Sequence, residues 1–244
     1  MRIKFEFEAE KIPIQYHMLF VSVFKEALKG VNVDYYENLY QFHEGRKNKK
    51  IKNFTFSVYI KGYDIEDGLF IVKDKVIVIV SSPDYEFMIN LHNGIMEKKV
   101  FKYKDFTIKN TKIIILQENK LTKDEAIFST LSPVAIRSKE GKFLNIDDEN
   151  YIKELNYIAN LMIKSYRGYG LTQELKFQPI SYNKVVVKQE ISGFKDKTNK
   201  EFLFVNAYKG MFKIEGHRED LNLIYQMGLG FRRSEGMGCL SVVE

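Results

Sequence analysis

The chain has 244 residues, of which 45% are hydrophobic and 29% charged, and this composition excludes a disordered tail or a collagen-like fibre. Its 38 Lys and Arg against 32 Asp and Glu give a formal net charge of +6, so nucleic acid is an expected partner, with ribosome-rich or membrane surfaces as alternatives. The single cysteine, Cys239, excludes an intramolecular disulfide and a cysteine-based metal site. It favours a reducing compartment, so a cytoplasmic protein is expected. The apolar runs are far shorter than the roughly 18 residues that span a bilayer, and the N-terminus reads as a strand, so neither a membrane span nor a signal peptide is expected.

The first half of the chain predicts elements in the order β, α, β, β, α, β. Residues 2–8 alternate polar and apolar side chains, which is typical of a half-buried strand. Apolar spacings of three and four predict a helix over residues 16–28, with Pro13 setting its start and Gly30 stopping it. The other predicted elements are a short helix at 34–42, strands at 53–61 and 68–80 around a turn at 63–67, a helix opened by Pro83, and a strand at 98–116.

The second half repeats this order of elements after a polar linker at residues 117–125. It predicts a strand at 126–136, a helix capped by Asp147 and Asp148 that runs to about residue 164, strands at 175–189 and 201–213, a helix at 218–227 and a strand at 239–243. We therefore expect an α+β protein with two tandem ferredoxin-like (RRM-like) βαββαβ domains. The expected domains are residues 1–120, with a candidate catalytic histidine, and residues 121–244, with a glycine-rich loop.

The segment GLGFRRSEGMG at residues 228–238 is the most specific local signal, because it holds four glycines in eleven residues. One interpretation is a phosphate cradle of bare backbone amides with two arginines beside it. The other is a glycine-cornered turn between a helix and the last strand. The candidate RNA-binding residues here are Gly228, Gly230, Arg232, Arg233, Gly236 and Gly238.

A second signal is His43, which precedes a basic run without hydrophobic periodicity. Histidine is the side chain best suited to move a proton near neutral pH, and neighbouring cations can hold a phosphodiester against it. The alternative is a solvated surface loop. The cations of this run are Arg46, Lys47, Lys49, Lys50 and Lys52.

The other histidines, His17, His92 and His217, are interpreted as structural or surface residues. No HExxH motif and no Cys/His zinc spacing is present, so we expect neither a metal nor another cofactor. The aromatic side chains are interpreted mostly as core, with Tyr35, Tyr36 and Tyr40 as candidates for stacking on bases.

These segments resemble the CRISPR-associated endoribonucleases that process repeat RNA, the sixth Cas protein family. The resemblance rests on GLGFRRSEGMGCL near the C-terminus, TLSPVAI at residues 130–136, and LYQFHEG followed by KNFTFS. It covers essentially the whole chain. It implies two tandem ferredoxin-like domains and metal-independent cleavage of precursor CRISPR RNA, in which a 2′-hydroxyl attacks the adjacent phosphate and leaves a 2′,3′-cyclic phosphate and a 5′-hydroxyl.

Carried over residue by residue, the resemblance places His43 at the family's general acid/base position and Lys52 at the lysine that stabilises the phosphorane. Lys47, Lys49 and Lys50 are then RNA-binding residues. The family's tyrosine on the first helix is not matched, because Phe24 or Lys25 occupies its place. Lys25, Tyr16 and Tyr40 remain alternatives for the third residue.

A non-catalytic repeat-RNA-binding subunit of a CRISPR effector complex, with the same fold, is the alternative function. A small-molecule enzyme is disfavoured because no acidic cluster or cofactor motif accompanies the loop. The expected partner is CRISPR repeat RNA, and other Cas effector subunits and a second copy of this chain are further candidates. No membrane partner is expected.

Overall fold

The computed structural model describes residues 1–40, 50–190 and 201–243, which form two antiparallel sheets with helices packed against them. In the N-terminal half, the strands are β1 (Arg2–Ala9), β2 (Lys11–Pro13), β3 (Thr55–Glu66), β4 (Leu69–Ser81), β5 (Val100–Tyr103) and β6 (Phe106–Leu116). The helices of this half are α1 (His17–Val31), α2 (Val33–Tyr40) and α3 (Tyr85–Lys98).

The C-terminal half repeats this architecture. Its strands are β7 (Glu125–Thr130), β8 (Lys176–Gln189), β9 (Leu203–Glu215) and β10 (Leu240–Val242). Its helices are α4 (Tyr151–Arg167) and α5 (Arg218–Met227), with a 3-10 turn at Arg233–Glu235.

The strand order identifies both sheets as ferredoxin-like. In the first sheet, β4 and β6 flank β1 and β3 pairs with β4; in the second, the order is β10-β7-β9-β8. Each half thus places its first and third principal strands at the centre, as a βαββαβ split sheet does. The predicted α+β fold of two tandem ferredoxin-like domains is confirmed, and the division at residue 120 stays a prediction.

Each sheet buries one hydrophobic cluster under its helices. The N-terminal cluster includes Phe5, Phe20 and Phe56, and the C-terminal cluster includes Phe128 and Leu155. In α1 the apolar residues recur every three or four positions, so one face of the helix is buried against the sheet. A third, smaller cluster joins β8 and β9 to Ala135 and Met237, and so fixes the glycine-rich loop against that hairpin.

Several predicted ends of strands and helices differ from those in the structure. The strand predicted over 98–116 is a hairpin, which turns at Lys104 with a φ of +51° and no glycine to announce it. The strand predicted to end at residue 136 ends at Thr130, after which Val134 pairs only with Tyr208. The residue before α4 is Asn150, not an aspartate of the predicted cap.

The start of α1 also differs from the prediction, because Pro13 ends strand β2 and the helix begins only at His17. The turn predicted at 63–67 falls at Asp67 and Gly68. The helix predicted at 34–42 is observed over Val33–Tyr40, and positions 41 and 42 lie outside the described residues.

Candidate functional site

A cleft of about 400 Å³ lies between the two halves, where the segment leading into β3 faces the glycine-rich loop and α4. Lys50 and Lys52 line it from the N-terminal half. Ile158 and Leu161 of α4, with Gly230 and Arg232 of the loop, line it from the C-terminal half. The structure thus brings together two separate groups of residues that the sequence analysis singled out.

Lys52 is the central cation of this cleft. It is half-buried and lies three residues before β3. Its Nζ lies 5.0 Å from the ring centroid of Tyr40. Burial lowers the pKa of Lys52, Lys25 lowers it further, and the Glu235 carboxylate acts in the opposite direction. A partly desolvated ammonium of this kind interacts with a phosphate more strongly than one in bulk water.

The structure separates the alternatives left open for a third residue near Lys52. Lys25 Nζ also lies 5.0 Å from the Tyr40 ring centroid, so Lys25 and Tyr40 both belong to the surroundings of Lys52. Tyr16 packs elsewhere, stacked on His17 with ring centroids 4.6 Å apart. Phe24 is a core residue, in edge contact with Phe56.

His43, Lys47 and Lys49 lie outside the described residues, as does Arg46. Their predicted roles therefore stay predictions. Lys50 is described, and it is exposed where it lines the cleft.

The four glycines of the loop are buried and allow close packing within the protein. At Gly236 the φ is +85°, and a Cβ atom would lie 2.8 Å from Phe56 Cε2 and 2.9 Å from His17 Cδ2. At Gly238 the φ is +71°, and a Cβ atom would overlap the Leu229 carbonyl oxygen. Gly228 and Gly230 face the carbonyl oxygens of Gly238 and Ala135, at 2.6 and 2.5 Å from the added Cβ.

The interpretation of the loop as a phosphate cradle predicts that its glycine amides are unpaired. This prediction is wrong for three of these glycines. The amides of Gly228, Gly236 and Gly238 donate to the carbonyls of Ile224, Arg233 and Pro133, at 2.8, 3.1 and 2.8 Å. These three amides form their hydrogen bonds inside the protein, because a buried amide without a partner would destabilise the folded state. Of the two interpretations of the loop, the structure favours the glycine-cornered turn for these positions.

The two arginines of the loop differ in their surroundings. Arg232 adopts a left-handed conformation, donates from Nε to Gln189 Oε1 at 2.7 Å and forms an ion pair with Glu235 at the cleft. Arg233 is 6% exposed, and its Nη1 donates to the carbonyl of Met227, the last residue of α5, at 2.7 Å.

Burial lowers the pKa of Arg233 to about 9. Its guanidinium satisfies a carbonyl at the C-terminal end of a helix, which is a structural contact, and its predicted contact with a phosphate stays a prediction.

His17 lies directly beneath the glycine-rich loop. It is buried, and its Nδ1 has no hydrogen-bond partner within residues 1–40, 50–190 and 201–243. Burial lowers the pKa of His17 to about 4, and the charges of Lys209 and Arg232 act in the same direction. The structural role expected for His17 agrees with this burial, whereas its contact with the loop had no signal in the sequence.

Hydroxyl groups fix the loop to the N-terminal sheet. Thr55 Oγ1 donates to the Met237 carbonyl at 2.7 Å, and Ser132 Oγ donates to the Phe56 carbonyl at 3.1 Å. Thr55 is the first residue of β3, so these bonds also fix the position of Lys52 relative to the loop. Sequence reasoning missed both residues, because a serine or threonine carries no local sign of a distant hydrogen-bond partner.

A buried arginine adds a second connection between the halves. Arg2 is 4% exposed, and its Nη2 donates to the carbonyls of Leu240 and Tyr225 at 2.8 and 3.2 Å. Its guanidinium also lies over the Tyr225 ring, 4.1 Å from the centroid. The two sheets are thus joined by directional contacts as well as by apolar packing.

The three tyrosines proposed for base stacking have protein partners. Tyr35 donates its hydroxyl to Asp84 Oδ2 at 2.9 Å, and burial together with the Asp84 charge raises the pKa of Tyr35. Tyr36 packs on Tyr40, with ring centroids 5.4 Å apart. Stacking of these rings on bases stays a prediction.

Among residues 1–40, 50–190 and 201–243, every helix falls short of the length and hydrophobicity needed to cross a bilayer. Within the same residues, no group of three or more His, Cys, Asp or Glu side chains is arranged to hold a metal ion.

Comparison with known proteins gives consistent matches over the whole chain. The CRISPR-associated endoribonuclease Cas6 1 of Methanocaldococcus jannaschii is 22% identical over 255 residues, covering 100% of this chain and 93% of the relative. A Cas6-related protein from Pyrococcus furiosus has a similar structure, with a TM-score of 0.83, 20% identity, and coverage of 100% of this chain and 98% of that one. A RAMP protein that binds different RNA substrates gives a TM-score of 0.82 at 18% identity, with both chains fully covered.

A protein-family model also matches this chain. The model described as CRISPR associated protein Cas6, C-terminal, matches residues 116–242, which include α4, the β8–β9 hairpin and the glycine-rich loop. Because this match spans more than half of the chain, the protein belongs to the Cas6 family of CRISPR-associated proteins.

Proposed function

We propose that this protein is an endoribonuclease that cuts precursor CRISPR RNA within its repeats. The observation that carries the proposal is the interdomain cleft, in which half-buried Lys52 faces the glycine-rich loop and Arg232. The family assignment and the M. jannaschii relative named as a CRISPR-associated endoribonuclease support it. A cytoplasmic location and association with other Cas subunits or a second copy of the chain are also part of the proposal.

The proposed reaction needs only groups of the RNA and side chains of the protein. The 2′-hydroxyl loses its proton to a base, its oxygen bonds to the adjacent phosphorus, and the bond from phosphorus to the 5′ oxygen breaks as that oxygen gains a proton. The products are a 2′,3′-cyclic phosphate and a 5′-hydroxyl, and no metal takes part. We assign the proton transfers to His43, since histidine exchanges protons near neutral pH.

Lys52 is assigned to the negative charge that grows on the phosphorane. The half-buried position of its ammonium supports this role, because a positioned cation in a partly desolvated site stabilises developing charge without reorganising. The flanking cations Lys47, Lys49 and Lys50, together with Arg232, are assigned to phosphates along the RNA. The four loop glycines and Arg233 support binding indirectly, by holding the backbone that presents Arg232.

Single-turnover cleavage of repeat RNA in EDTA tests this proposal. We expect one cut per repeat, and no cut when the attacking 2′-hydroxyl is replaced by hydrogen. His43→Ala should slow cleavage by about 10²–10⁴-fold with little loss of affinity. RNA that is bound but left intact by the wild-type protein would overturn the proposal and would instead identify a non-catalytic repeat-RNA-binding subunit.

A pair of lysine variants separates chemistry from binding. Lys52→Ala should lower the cleavage rate at saturating RNA by about 10²-fold or more, the typical cost of one positioned charge-stabilising group. Lys50→Ala, its matched control two residues away, should weaken affinity and leave that rate unchanged. If Lys52→Ala shows the pattern expected of Lys50→Ala, Lys52 is only a contact to the RNA backbone.

A further inference from the structure

The Tyr40 ring is shared by two ammonium groups from different parts of the chain. Lys25 belongs to α1 and Lys52 to the segment before β3, and each Nζ lies 5.0 Å from the centroid of Tyr40 at the end of α2. Both distances are within the range in which an aromatic ring attracts a cation. Three elements thus meet at one ring beside the cleft.

We infer that Tyr40 is a positioning residue that holds Lys25 and Lys52 as a pair of cations at the scissile phosphate. This inference rests on the proposed function and extends it to two residues. Two ammonium groups repel each other, and the attraction of each to the same aromatic ring offsets part of that repulsion. The ring therefore favours the presence of two like charges within 5.0 Å of one centroid in a partly buried place.

A pair of cations matches the charge of the reaction. The phosphodiester carries one negative charge, and the phosphorane formed by attack of the 2′ oxygen carries a second. Two ammonium groups therefore stabilise the transition state, relative to the bound substrate, more than one ammonium group does. Such a difference in stabilisation is what accelerates a reaction.

The charged and titratable groups around Lys52 agree with this arrangement. Lys25 faces it from α1, Tyr40 from α2 and Glu235 from the glycine-rich loop. Lys25 lowers the pKa of Lys52, whereas Glu235 raises it. Glu235 is itself paired with Arg232, so its charge is shared between two cations.

The phenol group of Tyr40 is less suited to proton transfer than to packing. Burial, together with the neighbouring Tyr36, raises its pKa, which disfavours the phenolate that a general base requires. A positioning role needs only the ring and not the hydroxyl. This difference separates the two roles experimentally.

The first experiment measures single-turnover cleavage at saturating repeat RNA, with affinity measured separately. Tyr40→Phe keeps the ring and should stay within about 3-fold of the wild-type rate, whereas Tyr40→Leu should lose about 10–100-fold with little change in affinity, because small misplacements of a reacting group have effects of this size. Equal losses in the two variants would overturn the inference and assign the chemistry to the hydroxyl. Far-ultraviolet circular dichroism and the thermal midpoint confirm folding.

The second experiment needs no RNA and decides the pairing even if the protein fails to cut or Tyr40→Leu fails to fold. Competitive acetylation over a range of pH, read by mass spectrometry, measures the pKa of Lys52 in the wild type, in Lys25→Met and in the control Lys29→Met, which removes an exposed cation of the same helix. Lys25→Met should raise the pKa of Lys52, because a nearby positive charge is removed. The control should leave it unchanged, and an unchanged value in Lys25→Met would refute the pair.

Discussion

Replacing Gly236 with alanine tests whether the glycine-rich loop is shaped by packing inside the protein. The left-handed φ of +85° costs a residue with a Cβ atom about 1–2 kcal/mol. The added methyl would also lie 2.8 Å from Phe56 and 2.9 Å from His17, and such overpacking typically costs about 1–3 kcal/mol more. We expect the free energy of unfolding to fall by about 2–5 kcal/mol in total.

Gly168→Ala is the matched control, because Gly168 has a φ of +91° and nothing lies within 4 Å of the added Cβ. The stability that Gly168→Ala loses should reflect only the left-handed backbone conformation. Thermal unfolding followed by circular dichroism measures both, and at about 2–4 °C per kcal/mol the midpoint of Gly236→Ala should lie a further 2–12 °C lower. Equal midpoints would refute the packing argument. If Gly236→Ala keeps its stability but loses RNA affinity, the glycine serves close approach of a ligand instead.

Three further predictions concern charged residues near the cleft and the domain contact. If Arg232 holds one phosphate of single-stranded RNA, Arg232→Gln should flatten the slope of log affinity against log salt by about 0.7. Arg233→Met should leave this slope unchanged and lower the thermal midpoint. Equal slopes for the two variants would show that Arg232 makes no phosphate contact. Arg2→Met removes two charge-assisted hydrogen bonds to carbonyls and should cost about 3–6 kcal/mol in urea unfolding, while Arg218→Met, at an exposed position, should cost almost nothing. Burial lowers the pKa of His17 from its ordinary 6.5 to about 4 in the folded state, so the unfolded state binds a proton first as the pH falls. Stability is therefore lost between pH 6.5 and 4, by about 3 kcal/mol. His17→Leu should reduce this loss in unfolding measured across the same range, and an unchanged pH dependence would show that the histidine is accessible to protons in the folded state.

The order of elements was predictable because amphipathic periodicity is a local property. The spacing of apolar residues in α1 and the alternation in β1 report directly on which face of each element is buried. The turn at Lys104 was not predictable in this way, since a non-glycine residue there adopts a left-handed conformation that nothing nearby in the sequence signals.

The site was predictable only in part, for a different physical reason. Glycine spacing indicates that the backbone at residues 228–238 needs unusual freedom, but it does not say whether a ligand or the protein itself comes close. Phe56 and His17 decide this at Gly236, and both are more than 170 positions away in the chain. The surroundings of Arg233 and the shared ring of Tyr40 likewise depend on contacts between distant elements.

Within the described residues, the buried side-chain hydrogen bonds between the two halves have main-chain carbonyls as their acceptors, at Leu240, Tyr225, Met237 and Phe56. Every residue has a carbonyl, so substitutions at the acceptor positions leave these bonds in place, provided that the backbone keeps its path. For these buried bonds the side-chain requirement falls on three donors, Arg2, Thr55 and Ser132, and the Tyr166 hydroxyl adds a partly buried bond to the Pro83 carbonyl at 3.1 Å. A chimera that joins one half of this chain to the other half of a distant relative should therefore assemble when those donors are present, even where most of the facing side chains differ.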